Sequence, residues 1–241
     1  MMTATEFVNK AVWIANDLKT LYVMGCIGAP MTEANKQRYI DHHEYNRRPG
    51  PKAAILAASA DTFGFDCVCL IKSILWNFSG DKTKTYGGAV YCSNGVPDIG
   101  ADSIINVCSG VSTTFKPADM VPGELLWKSG HVGIYIGNGK AVECTPSWDN
   151  KVQISNVANI TGNIGSKYRT WTKHGRLPYL VYDSLPFVDV QPSNWYYEAV
   201  CTVYRNNIMV GTDATHFSPN STLTRAQVAQ IITNLIERYH T

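Results

Sequence analysis

The sequence predicts an α+β protein in which an apolar helix packs on an antiparallel sheet, followed by a small helical unit. An apolar run with helical spacing begins at Cys67. Two strand-like segments, residues 131–136 and 140–145, flank the turn signal Asn138-Gly139 and predict a hairpin. After Tyr182 the pattern changes to short amphipathic helices. These three observations define the fold class and place the first boundary at about residue 182.

The composition bounds the classes of function. Hydrophobic residues make up 45% of the 241 positions and charged residues 17%, which is typical of a globular protein. A net charge of +2, without a Lys/Arg-rich tract, argues against nucleic-acid binding. Apolar stretches are shorter than the roughly 18 residues that cross a membrane, so no membrane insertion is expected. The seven cysteines show no disulfide or zinc spacing, and neither a metal nor a cofactor is expected.

The N-terminal segment predicts a folded amphipathic helix. Thr3 and Glu6 fit a capping box, and Phe7, Ala11 and Ile14 recur on one helical face. The segment lacks the continuous apolar region of a signal peptide. The expectation is therefore a chain made in a reducing cytoplasm without a signal peptide.

Two polar stretches are predicted to form loops that flank a cleft. The first lies between Pro30 and Ala60 and contains the breaker cluster of residues 47–51. The second is the Gly-rich stretch of residues 86–100. Within the first, residues 42–44 read His-His-Glu but lack the spacing of a metal-binding helix, so a solvated loop is expected.

Cys67 and His131 have the properties of a nucleophile and its base. Cys67 opens the predicted helix, where the positive end of the helix dipole favours a thiolate. His131 opens a predicted strand and is the candidate base that accepts the proton and later returns it to a leaving amine. Their distance in sequence is no objection, since such partners meet in the fold. Cys69 lies on another face of the helix and is expected in the core.

Glu143 is the candidate third member of a triad, and its role depends on the hairpin register. With a two-residue turn, Ile134 faces Glu143 and His131 lies on the opposite sheet face. With a three-residue loop and Gly139 left-handed, Gly133 faces Glu143, and His131 becomes a diagonal neighbour on the same face. In that second register the carboxylate can orient the imidazole.

Two further residues are candidate substrate contacts, each with a structural alternative. Asp66 either caps the helix that Cys67 opens or binds a substrate ammonium group, and both roles are compatible. Tyr22 either donates its hydroxyl to an oxyanion or substrate, or packs in the core. His174 and Arg176, near a predicted strand start, are expected at the surface.

Several of these residues form motifs of a known family. The motifs are Asp66-Cys67, the step Gly123-Glu124-Leu125, and His131-Val132-Gly133-Ile134-Tyr135. They resemble the NlpC-type, papain-like cell-wall peptidases, and Tyr22 resembles the tyrosine of that family's Tyr-x-x-Gly-Gly segment. The resemblance implies a papain-like fold for residues 1–182, with Glu143 in the polar third position where histidine is commoner. Val68 and Cys69 replace the usual Ser-Gly, which puts the substrate contacts in question.

The tail resembles a single S-layer homology module. The matching residues are Phe187, Asp189, Val190, Trp195, Ala199, Val200, Ile208, Gly211, Phe217, Pro219, and Leu223-Thr224-Arg225-Ala226. Residues 183–186 read as a linker and residues 187–241 as the module. The resemblance implies binding of an anionic secondary wall polymer, with Trp195 and Arg225 as candidate contacts. A lone module suggests avidity through a homo-oligomer.

Together the two resemblances imply a peptidoglycan hydrolase that acts at the bacterial cell wall on stem peptides. The family resemblance implies cleavage of the γ-D-glutamyl amide to the diamino acid. The expected absence of a signal peptide, together with a wall substrate, suggests a phage-type endolysin, and a clipped secreted autolysin would look the same. Two alternatives stay open. One is an N-acetylmuramoyl-L-alanine amidase, and the other is a non-enzymatic wall-binding protein with a degenerate cleft.

Overall fold

The computed structural model describes residues 1–182, 185–191 and 194–239. Two residues of the predicted linker, Asp183 and Ser184, lie outside the described residues. The described chain forms two compact units. The first consists of residues 1–115 and 121–182, and the second of residues 116–120 together with the described residues after 182.

The helices and strands follow the chain in an interleaved order. The described α-helices are α1 (Ala4–Asp17), α2 (Glu33–His42), α3 (Glu44–Arg47), α4 (Pro49–Ala57), α5 (Cys67–Leu75), α6 (Ala101–Ile104), α7 (Ala158–Thr161), α8 (Tyr197–Arg205) and α9 (Arg225–Tyr239). The described strands are β1 (Met2–Thr3), β2 (Thr20–Tyr22), β3 (Ile27–Pro30), β4 (Phe63–Phe65), β5 (Ser109–Ser112), β6 (Leu125–Lys128), β7 (His131–Gly137), β8 (Lys140–Thr145), β9 (Lys151–Val157), β10 (Tyr168–Arg169), β11 (Lys173–Arg176) and β12 (Leu180–Val181). Short 3₁₀ turns lie at Ile105–Val107 and Pro117–Asp119.

The largest sheet of the described chain is mostly antiparallel. Its strand order is β10-β9-β8-β7-β6-β11-β5, and β10 pairs with β9 in parallel. A smaller sheet has the order β2-β4-β3. The α+β class predicted from the sequence is therefore confirmed. Helices α1 and α5 pack on the large sheet, and their apolar side chains form the main core with those of β6 to β9.

Local sequence signals explain the first helix. Thr3 Oγ1 accepts a hydrogen bond from the Glu6 N–H at 3.1 Å, and the Thr3 N–H donates to the Glu6 carboxylate at 2.8 Å. This is the predicted capping box, which satisfies N–H groups that lack helical partners. Phe7, Ala11 and Ile14 are fully buried. The predicted apolar face is thus the face that enters the core.

The stretch between Pro30 and Ala60 folds into helices, so the prediction of a loop there was wrong. Thr32 caps α2, and Pro49 occupies the first turn of α4, where its missing N–H costs nothing. The cluster at residues 47–51 was read as a breaker, but here it starts a helix. Tyr39, Ile40 and Ile55 are buried against residues that precede α2. The stretch of residues 86–100 is irregular, as predicted.

His174 is buried, contrary to the expectation that it lies at the surface. Strand β11 lies between β6 and β5, which places His174 in the interior. Its Nδ1 lies 2.6 Å from Glu124 Oε2 and its Nε2 lies 2.9 Å from the Thr114 carbonyl oxygen. The Arg176 side chain is half exposed, with Nε 3.4 Å from Glu124 Oε1. A single histidine in a short strand has no periodic pattern around it that would distinguish a buried position from a surface position.

The second unit has its own small core and a largely exposed last helix. Phe187, Val190 and Val200 are buried together. Thr224 and Gln227 form a capping box at the start of α9. The apolar side chains of α9 are nevertheless exposed by between 41% and 52% at Val228, Ile232, Leu235 and Ile236. Among the described helices, none has the length and apolarity needed to cross a membrane.

Candidate active site

Helix α5 positions Cys67 at the base of a cleft. Strand β4 leads directly into this helix, and every residue of α5 is buried. Asp66 caps it: Oδ1 accepts from the Cys69 N–H at 2.7 Å, and Oδ2 accepts from the Gly25 N–H at 2.8 Å. The capping role predicted for Asp66 is therefore present, and the same carboxylate ties the loop after β2 to the start of α5. Cys69 is buried, as predicted.

His131 and Glu143 are in direct contact. His131 Nε2 lies 2.7 Å from Glu143 Oε2, and Glu143 is completely buried. The described register aligns Ile134 with Val142, which puts Gly133 opposite Glu143, as in the second of the two predicted registers. The cause differs from the prediction. The turn Asn138-Gly139 is a two-residue turn with both residues left-handed, and a bulge between Tyr135 and Gly137 shifts the register by one.

The Cys67 sulfur lies next to the same strand. Helix α5 packs against β7. The backbone N–H of Val132, the neighbour of His131, acts on the Cys67 thiol together with the N–H groups of Val68 and Cys67 itself. These donors lower the thiol pKa, but burial and the adjacent Asp66 carboxylate outweigh them and raise it to about 12. The helix start therefore favours the thiolate, as predicted, but it does not outweigh burial and Asp66, and Cys67 is a thiol at neutral pH.

A further arginine and serine hold the Glu143 carboxylate. Arg169 Nε donates to Oε2 at 2.6 Å, and Ser155 Oγ donates to Oε1 at 2.5 Å. Burial raises the pKa of Glu143, but the His131 hydrogen bond and the Arg169 charge outweigh burial and lower it. Glu143 is thus an ionised carboxylate at neutral pH. Two donors, from His131 and Arg169, converge on one oxygen atom.

Two tryptophans pack against the side chains of His131 and Arg169. The Trp171 ring stacks on the His131 imidazole with ring centroids 5.5 Å apart and 12° between the planes. The Arg169 guanidinium lies over Trp148 at 5.0 Å and over Trp171 at 5.8 Å. The stacking restricts rotation of the imidazole and of the guanidinium. The sequence analysis missed Arg169 and both tryptophans, because β10 and the loops beside it carry no motif that places them on this face.

Tyr22 lies near the Cys67 thiol, where it packs against other residues and also lines the cleft. It ends β2, is 8% exposed, and meets Tyr45 edge to face at 5.7 Å. Burial raises its pKa, and the neighbouring Cys67 and Asp66 raise it further, so the hydroxyl stays protonated. The two alternatives of the sequence analysis are therefore compatible at this residue, since the ring packs while the hydroxyl keeps its proton.

The cleft above Cys67 has a volume of about 530 Å³. Tyr22, Asp66 and Cys67 line it. Most of the other lining residues come from the loop after β2, from α2 and α5, and from the irregular stretch before α6, and Gly130, the residue before His131, also lines it. His42 and His43 also line it. His42 and Glu44 are exposed, as expected, but they lie in α2 and α3 and not in a loop. Among the described residues, no group of acidic, histidine and cysteine side chains is arranged to hold a metal ion.

The wall-polymer candidates of the second unit are accessible. Trp195 precedes α8 and is 92% exposed. Arg225 is exposed at the first position of α9. A second pocket, of about 590 Å³, is lined by other residues of this unit, such as Met209, Phe217 and Gln230. Nothing in these positions resembles a nucleophile with its base.

Comparison with known proteins identifies the class of the second unit. Residues 186–229 match the family model of the S-layer homology domain, so this part of the chain is an S-layer homology domain, as the sequence predicted. A 51-residue segment is 41% identical to the "Surface-layer 125 kDa protein" of Lysinibacillus sphaericus. That segment makes up 21% of this chain and 4% of the relative. The NlpC-type resemblance of residues 1–182 stays a prediction.

Proposed function

We propose that the protein is a cysteine peptidase of NlpC type that hydrolyses amide bonds in the stem peptides of peptidoglycan. The observation that carries the proposal is the 2.7 Å pair of His131 and Glu143 on strands against which the helix opened by Cys67 packs. A nucleophile, a base and an orienting carboxylate are what amide hydrolysis by a thiol needs. The surrounding fold, a helix packed on an antiparallel sheet, also supports the NlpC-type assignment.

The chemistry follows from the hydrogen bonds of His131. Its Nε2 is engaged with the ionised Glu143, so Nδ1 is the ring nitrogen that can accept a proton. Since Cys67 is a thiol at neutral pH, its proton passes to His131 as the sulfur attacks the carbonyl carbon. The Cys67 N–H at the helix start and the Tyr22 hydroxyl are the donors for the oxyanion.

The second half of the reaction returns the proton. The imidazolium of His131 protonates the leaving amine as the carbon–nitrogen bond breaks, which leaves a thioester on Cys67. His131 then removes a proton from water, the hydroxide attacks the thioester, and the thiol is regenerated with a free carboxylate as product. The bond proposed is the γ-D-glutamyl amide to the diamino acid.

The S-layer homology domain supports a location at the cell wall. We infer that it binds an anionic secondary wall polymer, with the exposed Trp195 and Arg225 as contacts. Arg225→Ala is expected to reduce sedimentation of the protein with purified walls while turnover of small soluble stem peptides stays unchanged. Unchanged sedimentation of this variant would remove Arg225 from the polymer site.

Lysis of purified walls tests the enzymatic proposal. Wild-type protein is expected to clear a wall suspension and to release fragments, whereas Cys67→Ser is expected to do neither, because a neutral hydroxyl is a far weaker nucleophile. Mass spectrometry of the fragments identifies the bond. New termini at D-glutamate support the endopeptidase, and free lactyl groups support the alternative amidase. Near wild-type lysis by Cys67→Ser would show that Cys67 is not the nucleophile.

A non-enzymatic wall-binding protein is the second candidate. The S-layer homology match favours it, since that match concerns a binding module. The raised pKa of Cys67 and the Val68-Cys69 pair in place of Ser-Gly also fit a degenerate cleft. Sedimentation with walls that is equal for wild type and Cys67→Ser, without release of any fragment, would establish this candidate.

A further inference from the structure

Charged side chains line the cleft above Cys67, and most of them are already paired. Lys72 is buried and forms an ion pair with Asp98, which also accepts a hydrogen bond from the Tyr91 hydroxyl at 2.7 Å. Both oxygens of Asp66 accept backbone N–H groups. These groups satisfy one another and have little remaining capacity for a charged ligand.

Arg38 differs from them. It lies on α2, lines the cleft, and is exposed. Within the part of the chain that the structure describes, it has no carboxylate partner; its hydrogen bond goes to the Tyr86 hydroxyl at 3.3 Å. It is therefore the cleft cation whose charge is not neutralised by the protein.

Two aromatic rings hold the Arg38 guanidinium in place. Its Cζ lies 5.6 Å from the centroid of Tyr39 and 5.8 Å from that of Tyr86. Tyr39 is buried and thus provides a fixed surface. A guanidinium that rings and a hydroxyl already orient loses less conformational entropy when it binds an anion. A planar fork of N–H donors matches a carboxylate better than any other common peptide group.

We propose that Arg38 is a specificity-determining residue that binds a free carboxylate of an acidic peptide lying in the cleft. This inference rests on the proposed function and defines its substrate class: stem peptides whose glutamyl residue carries a free α-carboxylate, in preference to the carboxamide. The carboxamide has the same shape, but it is neutral and presents an N–H₂ group to the guanidinium. The arginines at the helix junction, Arg47 and Arg48, are outside the lining of this cleft.

The test measures binding separately from hydrolysis. The probes are a synthetic γ-D-glutamyl stem peptide with a free α-carboxylate and the same peptide as its α-carboxamide. Calorimetry on the Cys67→Ser chain gives both dissociation constants without turnover, and the wild-type chain gives the hydrolysis rates. The same measurements are made with Arg38→Gln and with Arg47→Gln. Arg47→Gln is the matched control, because it removes a positive charge from the same stretch between Pro30 and Ala60.

The carboxylate peptide is expected to bind about twofold to fivefold tighter than the carboxamide, a modest ratio because Arg38 is exposed. Arg38→Gln is expected to make the two dissociation constants similar, because only the binding of the carboxylate peptide becomes weaker. Arg47→Gln is expected to leave the ratio of the two constants unchanged. Equal binding of both peptides, an unchanged ratio in Arg38→Gln, or no binding of either peptide overturns the inference.

The binding and hydrolysis arms separate this inference from the proposed function. Selective binding that depends on Arg38, without hydrolysis by the wild-type chain, would support the inference and refute the enzyme. Equal hydrolysis of both peptides by wild type and Arg38→Gln would support the enzyme and refute the role of Arg38.

Discussion

Replacing Glu143 with Gln is expected to destabilise the first unit. The substitution keeps the shape but removes the charge that neutralises Arg169, whose side chain is only 16% exposed. Removing one partner of a buried ion pair costs about 3–5 kcal/mol, because the other charge is left buried and unpaired. Gln retains one acceptor oxygen, so the lower end, about 3 kcal/mol, applies. For a unit of this size that corresponds to a fall in Tm of roughly 6–12 °C.

Thermal unfolding followed by tryptophan fluorescence measures this change, since Trp148 and Trp171 lie against Arg169. The companion variant is Glu143→Gln combined with Arg169→Gln. If the cost arises from the unpaired Arg169 charge, the double variant is more stable than the single one. A single variant within about 0.5 kcal/mol of wild type, or a double variant less stable than the single one, would refute the reasoning.

The pH dependence gives an independent check of the same pair. The pKa of Glu143 is lowered from its ordinary value of 4.5, so the folded state binds the proton more weakly than the unfolded state. The stability contributed by its charge is therefore complete above the unfolded pKa and is lost as pH falls through the folded pKa. The Tm difference between wild type and Glu143→Gln is expected to shrink on acidification below about pH 4.5. A difference independent of pH would contradict an ionised Glu143.

Three further outcomes are expected. In wall lysis, Glu143→Gln retains more activity than Glu143→Ala, because Gln still orients the imidazole, and His131→Ala retains almost none; equal near-wild-type rates of both Glu143 variants would remove it from the triad. Alkylation of Cys67 by iodoacetamide rises about tenfold per pH unit without a plateau up to about pH 10.5, with the exposed Cys92 as internal control; a constant rate at neutral pH would indicate a preformed ion pair. Truncation after Tyr182 is expected to preserve hydrolysis of soluble peptides, to weaken sedimentation with walls and to convert an oligomer into a monomer. If the full-length protein is monomeric and the truncated protein still binds walls, the two units do not divide the work in this way.

Local sequence signals predicted the elements whose information is local. The capping box at Thr3 was predictable because its partner, Glu6, lies three residues away. The pairing of His131 with Glu143 was predictable only as one of two registers. A bulge near Ile136 and a three-residue loop both bring Gly133 opposite Glu143. Sequence spacing cannot choose between them.

Contacts between distant segments could not be predicted. Arg169 reaches Glu143 because β10 pairs in parallel with β9, a connection without a turn signal. The interior position of His174 likewise depends on where β11 enters the sheet. The stretch at residues 30–60 misled the prediction because its polar composition hid a few buried anchors, Tyr39 and Ile55 among them. In each case tertiary packing determines where the residue lies, and the local composition of the sequence does not show that packing.

The start of α5 bears on the role of the His131–Glu143 pair in the proposed reaction. A helix N-terminus favours a thiolate, but the residue that caps this helix is a carboxylate, and its charge adjoins the sulfur. Burial acts in the same direction, so the thiol keeps its proton until a base removes it. In the proposed reaction the base, His131, must then be correctly oriented at the moment of attack. Glu143 shares its charge between Arg169 and His131, which leaves less of it to stabilise an imidazolium than an exclusive pair would. Its principal effect on His131 is therefore to fix the tautomer and the ring orientation.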